Sequence, residues 1–234
     1  MRKPGRWLTV MAVLAAHRLH AGEPAVAVRE FRIDDAWGRD TAEFRTSAPL
    51  EEIVGTTNRV TGFLKADPDH LLNGAASARI EIPLSSFKTG IGMRDGHVAK
   101  ALGAEKHPIA VFVLERIATA SKDALQPNAA VDVTGSGTLE LNGMRRSIPF
   151  TARVTYVPAG GPFSEVRPGN LVKLVGRFDV NLDDFGVPRK GPGLELPVGP
   201  EAHVIVTALA SDANPADAAK YRESAERYLG KAVN

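Results

Sequence analysis

The sequence predicts an all-β protein, an antiparallel barrel or sandwich of about eight strands. Three observations predict it. Apolar and polar residues alternate with a period of two in segment after segment. The segments are joined by short turns rich in Gly, Pro and Asn, and helical periodicity is confined to two peripheral stretches. Alternation of this kind leaves each strand with one apolar face, which must be covered by closure of the sheet or by a second layer. A closed barrel of about eight strands has an interior wide enough for one small ligand.

Phe31 and Ile33, then Ala42 and Phe44, open the series, and Val60 to Leu64 carries the next segment. Ile80, Ile82 and Leu84 follow as a clean alternating strand. Ile109 to Ile117 is apolar on both faces over much of its length, which predicts cover on both sides. Val131 and Val133 lead through Gly135 and Gly137 to Leu139 and Leu141; the two glycines lack a following helix and read as a bend or bulge. Asn142-Gly143 supplies the positive φ angles of a tight hairpin turn, a loop that grows longer if Met144 to Ser147 belongs to it. Ile148, Phe150, Ala152, Val154 and Tyr156 return. Leu174 to Leu182 and Val204 to Ala208 complete the set.

The first helical stretch, Met93 to Leu102, is long enough for a short helix over one end of the sheet. The second, Pro215 to Lys231, has Asn214 as N-cap, Pro215 at the first helical position and Gly230 near its end. Ala218, Tyr221, Ala225, Tyr228 and Leu229 share one of its faces. Docking on the barrel exterior is the expected role of that face, with a partner or peripheral membrane contact as the alternative.

At the N-terminus, Arg2, Lys3 and Arg6 precede an apolar run of ten residues, Trp7 to Ala16. That run is too short to span a bilayer and matches the apolar core of a signal peptide. The chain therefore divides into a leader, 1–21, a β domain, 28–211, and a helical extension, 212–234. Residues 1–21 hold four of the 29 Lys+Arg and none of the 27 Asp+Glu, leaving 25 against 27 and a slightly acidic mature chain. Electrostatics thus give no case for nucleic acid. With Cys 0, disulfides, thiol catalysis and thiolate metal sites are excluded. A periplasmic or secreted location follows from the leader.

Arg94, Asp95 and His97 form a cluster of three ionisable types. In a helix Arg94 and His97 share a face, where a guanidinium fork and an imidazole suit a phosphate or carbonyl headgroup. The plainer alternative has Asp95 capping the helix and Arg94 paired with a strand carboxylate such as Glu81. His70, His97, His107 and His203 show no metal-ligand spacing, so no metal and no cofactor are expected. No G-x-S-x-G is present, Ser85-Ser86 has no nearby base, and Asp183-Asp184 before Gly186 and Pro188 reads as a turn. Catalysis is not expected.

Four segments, taken in order, resemble the YceI-like family of bacterial periplasmic lipid-binding proteins. FRIDDAWGRDTAEF is similar to the family's first strands. ARIEIPLSSFKTGIGMRDGHVAKALGAEKHPIAVFVLERI carries its strand, Arg-Asp-x-His helix and Lys-x-Pro strand. VTGSGTLELNGMRRSIPFTARV resembles its central hairpin, and GRFDVNLDDFGVP with VGPEAHVIVTALA its closing pair. The resemblance implies an eight-stranded, lipocalin-like antiparallel barrel holding a polyisoprenoid, isoprenoid quinone or fatty-acyl chain without chemical change. It places Arg94, Asp95 and His97 on the family's Arg-Asp-x-His, and Asp184-Phe185-Gly186 on its closing-strand Asp-Phe-Gly. Ala36-Trp37-Gly38-Arg39 and Arg45-Thr46-Ser47 depart from the His-Ser and Arg-His that many members carry there.

The expected function is lipid carriage, storage or sensing in the envelope. Phe44, Phe63, Ile91, Met93, Phe112, Leu114 and Phe178 are the candidate tail contacts, and Arg94 and His97 lie near the head, flanked by Asp95 and Asp184. The competing expectation is an interaction protein with a filled barrel core that docks a partner or membrane through its C-terminal helix. The oligomeric state, including a homodimer, stays open.

Overall fold

The computed structural model of the protein describes residues 28–160, 167–190 and 197–232; the expected leader, 1–21, lies outside the described residues. The strands are β1 (Arg29–Ile33), β2 (Thr41–Ala48), β3 (Glu51–Thr57), β4 (Thr61–Ala66), β5 (Ser77–Pro83), β6 (Ile109–Ala120), β7 (Ala130–Leu141), β8 (Met144–Val157), β9 (Leu171–Asn181) and β10 (Glu201–Ser211). Helix α1 (Gly92–Ala101) joins β5 to β6, and α2 (Pro215–Ala232) follows β10.

All ten segments belong to one antiparallel sheet, yet they amount to eight strands. β1 and β2 are halves of one interrupted strand, as are β3 and β4, because β1 pairs with β4 and β2 with β3. The sheet closes at β10. That strand pairs with β9 along one side and, along the other, with β2 and then with β1 at Arg32↔Ser211. The expected antiparallel barrel is what forms, and the sandwich alternative falls away.

The break between β1 and β2 leaves backbone donors that need partners. Asp40, only 1% exposed, supplies the acceptors: Oδ1 accepts the Leu209 N–H at 2.7 Å and Oδ2 the Asp35 N–H at 3.2 Å. Burial pushes the Asp40 carboxyl above its ordinary range, against the pull of those two hydrogen bonds.

Elsewhere the local signals operate as expected. Asn142 (φ 50°) and Gly143 (φ 74°) make a two-residue turn, and Met144 pairs directly with Leu141, so the longer loop does not form. The irregularity foreseen at Gly135 and Gly137 lies on the partner strand. β6 shifts register between Leu114 and Arg116 and again between Ile117 and Thr119, opposite those glycines.

The inward faces of the strands bury Phe31, Ile33, Ile80, Leu139, Ile148, Val180 and Val206 in one cluster. A smaller cluster of Leu71, Leu125, Val131, Val133 and Ala152 sits toward the end capped by the 67–76 and 121–129 connections. Two interior aromatic rings lie flat on the wall because glycine is beneath them. A Cβ at Gly55 would stand 2.2 Å from Phe44 Cε1, and one at Gly137 would stand 2.2 Å from Phe112 Cζ.

Helix α2 docks on the barrel exterior. Asn214 Oδ1 caps it by accepting the Asp217 N–H at 3.0 Å. Tyr221 donates to Asp35 and accepts from Arg39, and Arg222 reaches Asp34 at 3.4 Å. Arg167, 2% exposed, lies beneath them with Nη2 2.6 Å from Asp34 and Nη1 3.4 Å from Asp35. Its guanidinium carbon also stands 5.6 Å from the Tyr221 ring centroid. Burial alone would raise the Asp35 carboxyl, but the Arg39 and Tyr221 hydrogen bonds outweigh it and hold it below the usual range. On the expected face of α2, Ala225 is fully buried whereas Tyr228 and Leu229 stay exposed, although Tyr228 packs on Trp37 at 5.1 Å. No described helix is long and apolar enough to cross a membrane.

Candidate functional site

The alternation that closes the barrel also lines its interior, and the interior is not filled. Two adjoining cavities of about 150 Å³ each run along it. The first lies under α1 and is lined by Phe44, Ile53, Phe87, Arg94, His97 and Leu182, among others. The second, toward the opposite end, is lined by Phe31, Leu71, Phe112, Leu114, Leu125 and Phe150. Ile82, Ala110, Leu139 and Phe178 line both, so the two apolar cavities adjoin at these residues. Their combined volume sits at the lower end of the roughly 300–1,000 Å³ typical of ligand pockets.

The structure brings together six of the candidate residues around this space: Phe44, Arg94 and His97 at the first cavity, Phe112 and Leu114 at the second, and Phe178 at both. Phe112 and Phe178 stack at 5.9 Å. Three other candidates line neither cavity. Phe63 lies on the outer face of β4, with the Lys65 ammonium 5.3 Å from its ring, because strand parity turns Leu64 inward instead. Ile91 and Met93, at the start of α1, are 53% and 77% exposed. Asp184 is exposed, and its neighbour Asp183 pairs with Arg189 at 2.9 Å.

Residues the sequence did not single out complete the lining. Phe87 packs edge-on against Phe44 at 5.1 Å; it belongs to the turn after β5, where no alternation marks it. Ala110 and Leu139 were legible as strand residues, but nothing in their spacing marks them as the junction of two cavities.

At the α1 end the polar groups are tightly arranged. Arg94 donates from Nη1 to Glu51 Oε2 at 2.8 Å and from Nη2 to the Thr89 carbonyl at 3.0 Å. Glu51, not Glu81, is therefore its carboxylate; Glu81 pairs with Arg79 at 2.6 Å. The Arg94 Nε is buried and has no partner among the described residues. Asp95 accepts from the Thr89 N–H at 2.7 Å and the Thr89 hydroxyl at 2.8 Å, with Lys88 at 3.5 Å. It thus staples the chain before α1 to the helix's first turn, a positioning role that leaves Arg94 free to face the cavity. Among the described residues no group of three or more His, Asp or Glu is placed to hold a metal ion.

The Thr89 hydrogen bonds, then Lys88, hold the Asp95 carboxyl below its ordinary range. Its folded pKa lies below the unfolded one, so its contribution is present above the unfolded value and is lost as pH falls through the folded value. Amide hydrogen exchange should show α1 equally protected from neutral pH down to the usual carboxylate range, and losing that protection as pH falls below it. Asp95→Ala should lose that protection already at neutral pH; equal protection in both proteins would remove the staple role.

The YceI-like domain family matches residues 32–210, about three-quarters of the sequence. The chain belongs to the YceI-like family. The matched region begins in β1, ends in β10 and takes in α1 and both cavities, leaving α2 outside the YceI-like domain. The YceI-like barrel is seen in solved structures similar to this one. BcnA of Burkholderia cenocepacia is 21% identical, with a TM-score of 0.57 over 76% of this chain and 99% of its own. A polyisoprenoid binding domain from Saccharophagus degradans, implicated in plant cell wall breakdown, is 16% identical, with a TM-score of 0.57 over 77% and 97%. The YceI protein of Campylobacter jejuni is 15% identical, with a TM-score of 0.52 over 72% and 90%. At these identities the likeness is one of fold. None of the curated proteins is similar enough to the chain to count as a match.

Proposed function

We propose that this protein is an exported carrier or store of an amphiphile, holding an isoprenoid or fatty-acyl tail in the barrel and its headgroup beside Arg94 and His97, without chemical change. The observation that carries the reading is the pair of adjoining apolar cavities in the barrel, with Arg94 and His97 lining the one under α1. Each tail methylene taken out of water contributes about 0.8 kcal/mol, so a long tail binds tightly with few polar contacts. The Saccharophagus degradans relative, a polyisoprenoid binding domain, supports the same class of ligand. The leader expected at 1–21 supports a periplasmic or secreted location.

Native mass spectrometry of the protein purified without detergent from its own cells should find a stoichiometric lipid, identified after organic extraction. Protein mass alone would overturn the reading in favour of an envelope interaction protein with no cargo. Arg94→Gln should weaken binding of phosphorylated or carboxylated amphiphiles by about ten- to a hundredfold, the worth of a charge-assisted hydrogen bond. Neutral lipids of the same tail should change little. Equal losses for charged and neutral heads would sink the headgroup role of Arg94.

A further inference from the structure

The barrel wall has a slot beside α1. On the side away from β2, β3 is stitched to the rest of the molecule at Thr56, whose N–H and carbonyl bond Lys88 at 2.9 and 2.8 Å. Among the described residues, Glu51 to Gly55 have no backbone partner on that side, and β3 is the last strand in the pairing order. The gap leads into the first cavity, which Ile53 lines from β3 and Arg94, His97 and Val98 line from α1. The 2.8 Å Arg94–Glu51 pair spans it near Glu51, and Thr57 bonds Ser86 at 2.7 Å at its far end.

That pair also brings three large apolar side chains to the rim. Leu50 precedes Glu51 and is 88% exposed; Met93 precedes Arg94 and is 77% exposed; Ile91, one residue before α1, is 53% exposed. Two ion pairs lie among them, Arg94 with Glu51 and Lys88 with Asp95, beside the exposed Glu52. The rim is thus largely apolar, with little net charge, and lies beside an apolar cavity. Clustered apolar exposure of this kind marks an interaction surface, and side chains at turn tips are shaped to enter the headgroup boundary of a bilayer.

We infer that this slot is a lipid portal whose rim, Leu50, Ile91 and Met93, docks on a phospholipid bilayer, lipid passing between the leaflet and the first cavity when the Arg94–Glu51 pair parts. The inference rests on the lipid-binding reading above. Because the rim carries two ion pairs and no cluster of like charge, attachment depends on apolar insertion and is only weakly sensitive to salt.

The chain contains Cys 0, so single cysteines report cleanly. The full chain carrying Leu50→Cys or Met93→Cys is labelled with an environment-sensitive fluorophore and mixed with phosphatidylcholine vesicles, some containing spin-labelled lipid. Lys122→Cys at the opposite end of the barrel and Tyr228→Cys on α2 are the controls. The labels at 50 and 93 should shift to the blue and be quenched by the spin label at low and high salt alike, while those at 122 and 228 stay in water. Leu50→Asp combined with Met93→Asp, both exposed positions, should slow lipid uptake from the vesicles about tenfold or more without changing the thermal midpoint.

Silent labels at 50 and 93, or a response centred on 122 or 228, overturn the portal. So does an apolar signal that appears without vesicles and grows with protein concentration, which would place a second copy of the chain on the patch. Lipid recovered with the protein while labels 50 and 93 are silent removes the portal and leaves lipid binding standing. If no lipid is recovered under any condition, both fall.

Discussion

Arg167→Ala should lower stability by about 3–5 kcal/mol and loosen α2 from the barrel. Removing one member of a buried ion cluster leaves its partners charged and short of compensation, which is where losses of that size arise. Arg167 is almost fully buried, faces Asp34 and the wholly buried Asp35 side chain, and donates to the Arg32 carbonyl at 3.2 Å. It therefore serves the end of β1, the interrupted β1–β2 connection and Tyr221 of α2 at once. For a protein of this size the loss corresponds to a fall of about 6–20 °C in thermal midpoint. Limited proteolysis should cut α2 first. Arg222→Ala is the comparison, because the Arg222–Asp34 pair is half-exposed and worth about 1 kcal/mol or less. If the two variants lost the same small amount, the network would be surface decoration, and α2 would be held by Ala225 and the Trp37–Tyr228 contact alone.

Almost none of that network was legible in the sequence. Arg167 lies in a Pro/Gly-rich stretch of the sequence, more than a hundred residues from the carboxylates it meets. No local pattern distinguishes it from a solvated arginine. Asp34, Asp35 and Asp40 carry no local signal of burial, yet closure of the barrel buries the Asp35 and Asp40 side chains and sets Asp40 to satisfying backbone donors. The barrel itself was legible because period-two alternation is a local signal, repeated along the chain. Phe63 shows the limit of reading residue type over parity: the alternation Val60, Gly62, Leu64 already turns Phe63 outward. Arg94 and Asp95 separate for a similar reason. Successive helical positions point about a quarter-turn apart, so one reaches the cavity and the other returns to Thr89. Whether the interior is hollow was beyond local reading. It depends on Phe44 and Phe112 finding Gly55 and Gly137 across the sheet, so that the rings line the wall instead of crossing the lumen.

That hollow can be tested at its midpoint. Ala110 is small, and it lines both cavities where they meet. In a filled barrel, Ala110→Phe overpacks the core and costs about 1–3 kcal/mol, with no bearing on any ligand. In a barrel with two communicating cavities the new ring occupies existing space, so the thermal midpoint should move by no more than a few degrees. The tail, however, is then confined to the first cavity, about 150 Å³ instead of twice that volume. Each methylene kept out of the second cavity forfeits about 0.8 kcal/mol, so excluding roughly five of them weakens a long-chain ligand by about a thousandfold. A short-chain amphiphile that already fits under α1 should keep its affinity, because Arg94, His97 and Phe44 are untouched. Titration of the wild-type and variant proteins with a homologous series of lipids therefore reads the depth of the cavity directly. A break in the affinity-against-length line that appears only in the variant places the tail across the Ala110 junction. Parallel lines, or a fall in stability with affinity unchanged at every length, would mean that the tail does not pass that point.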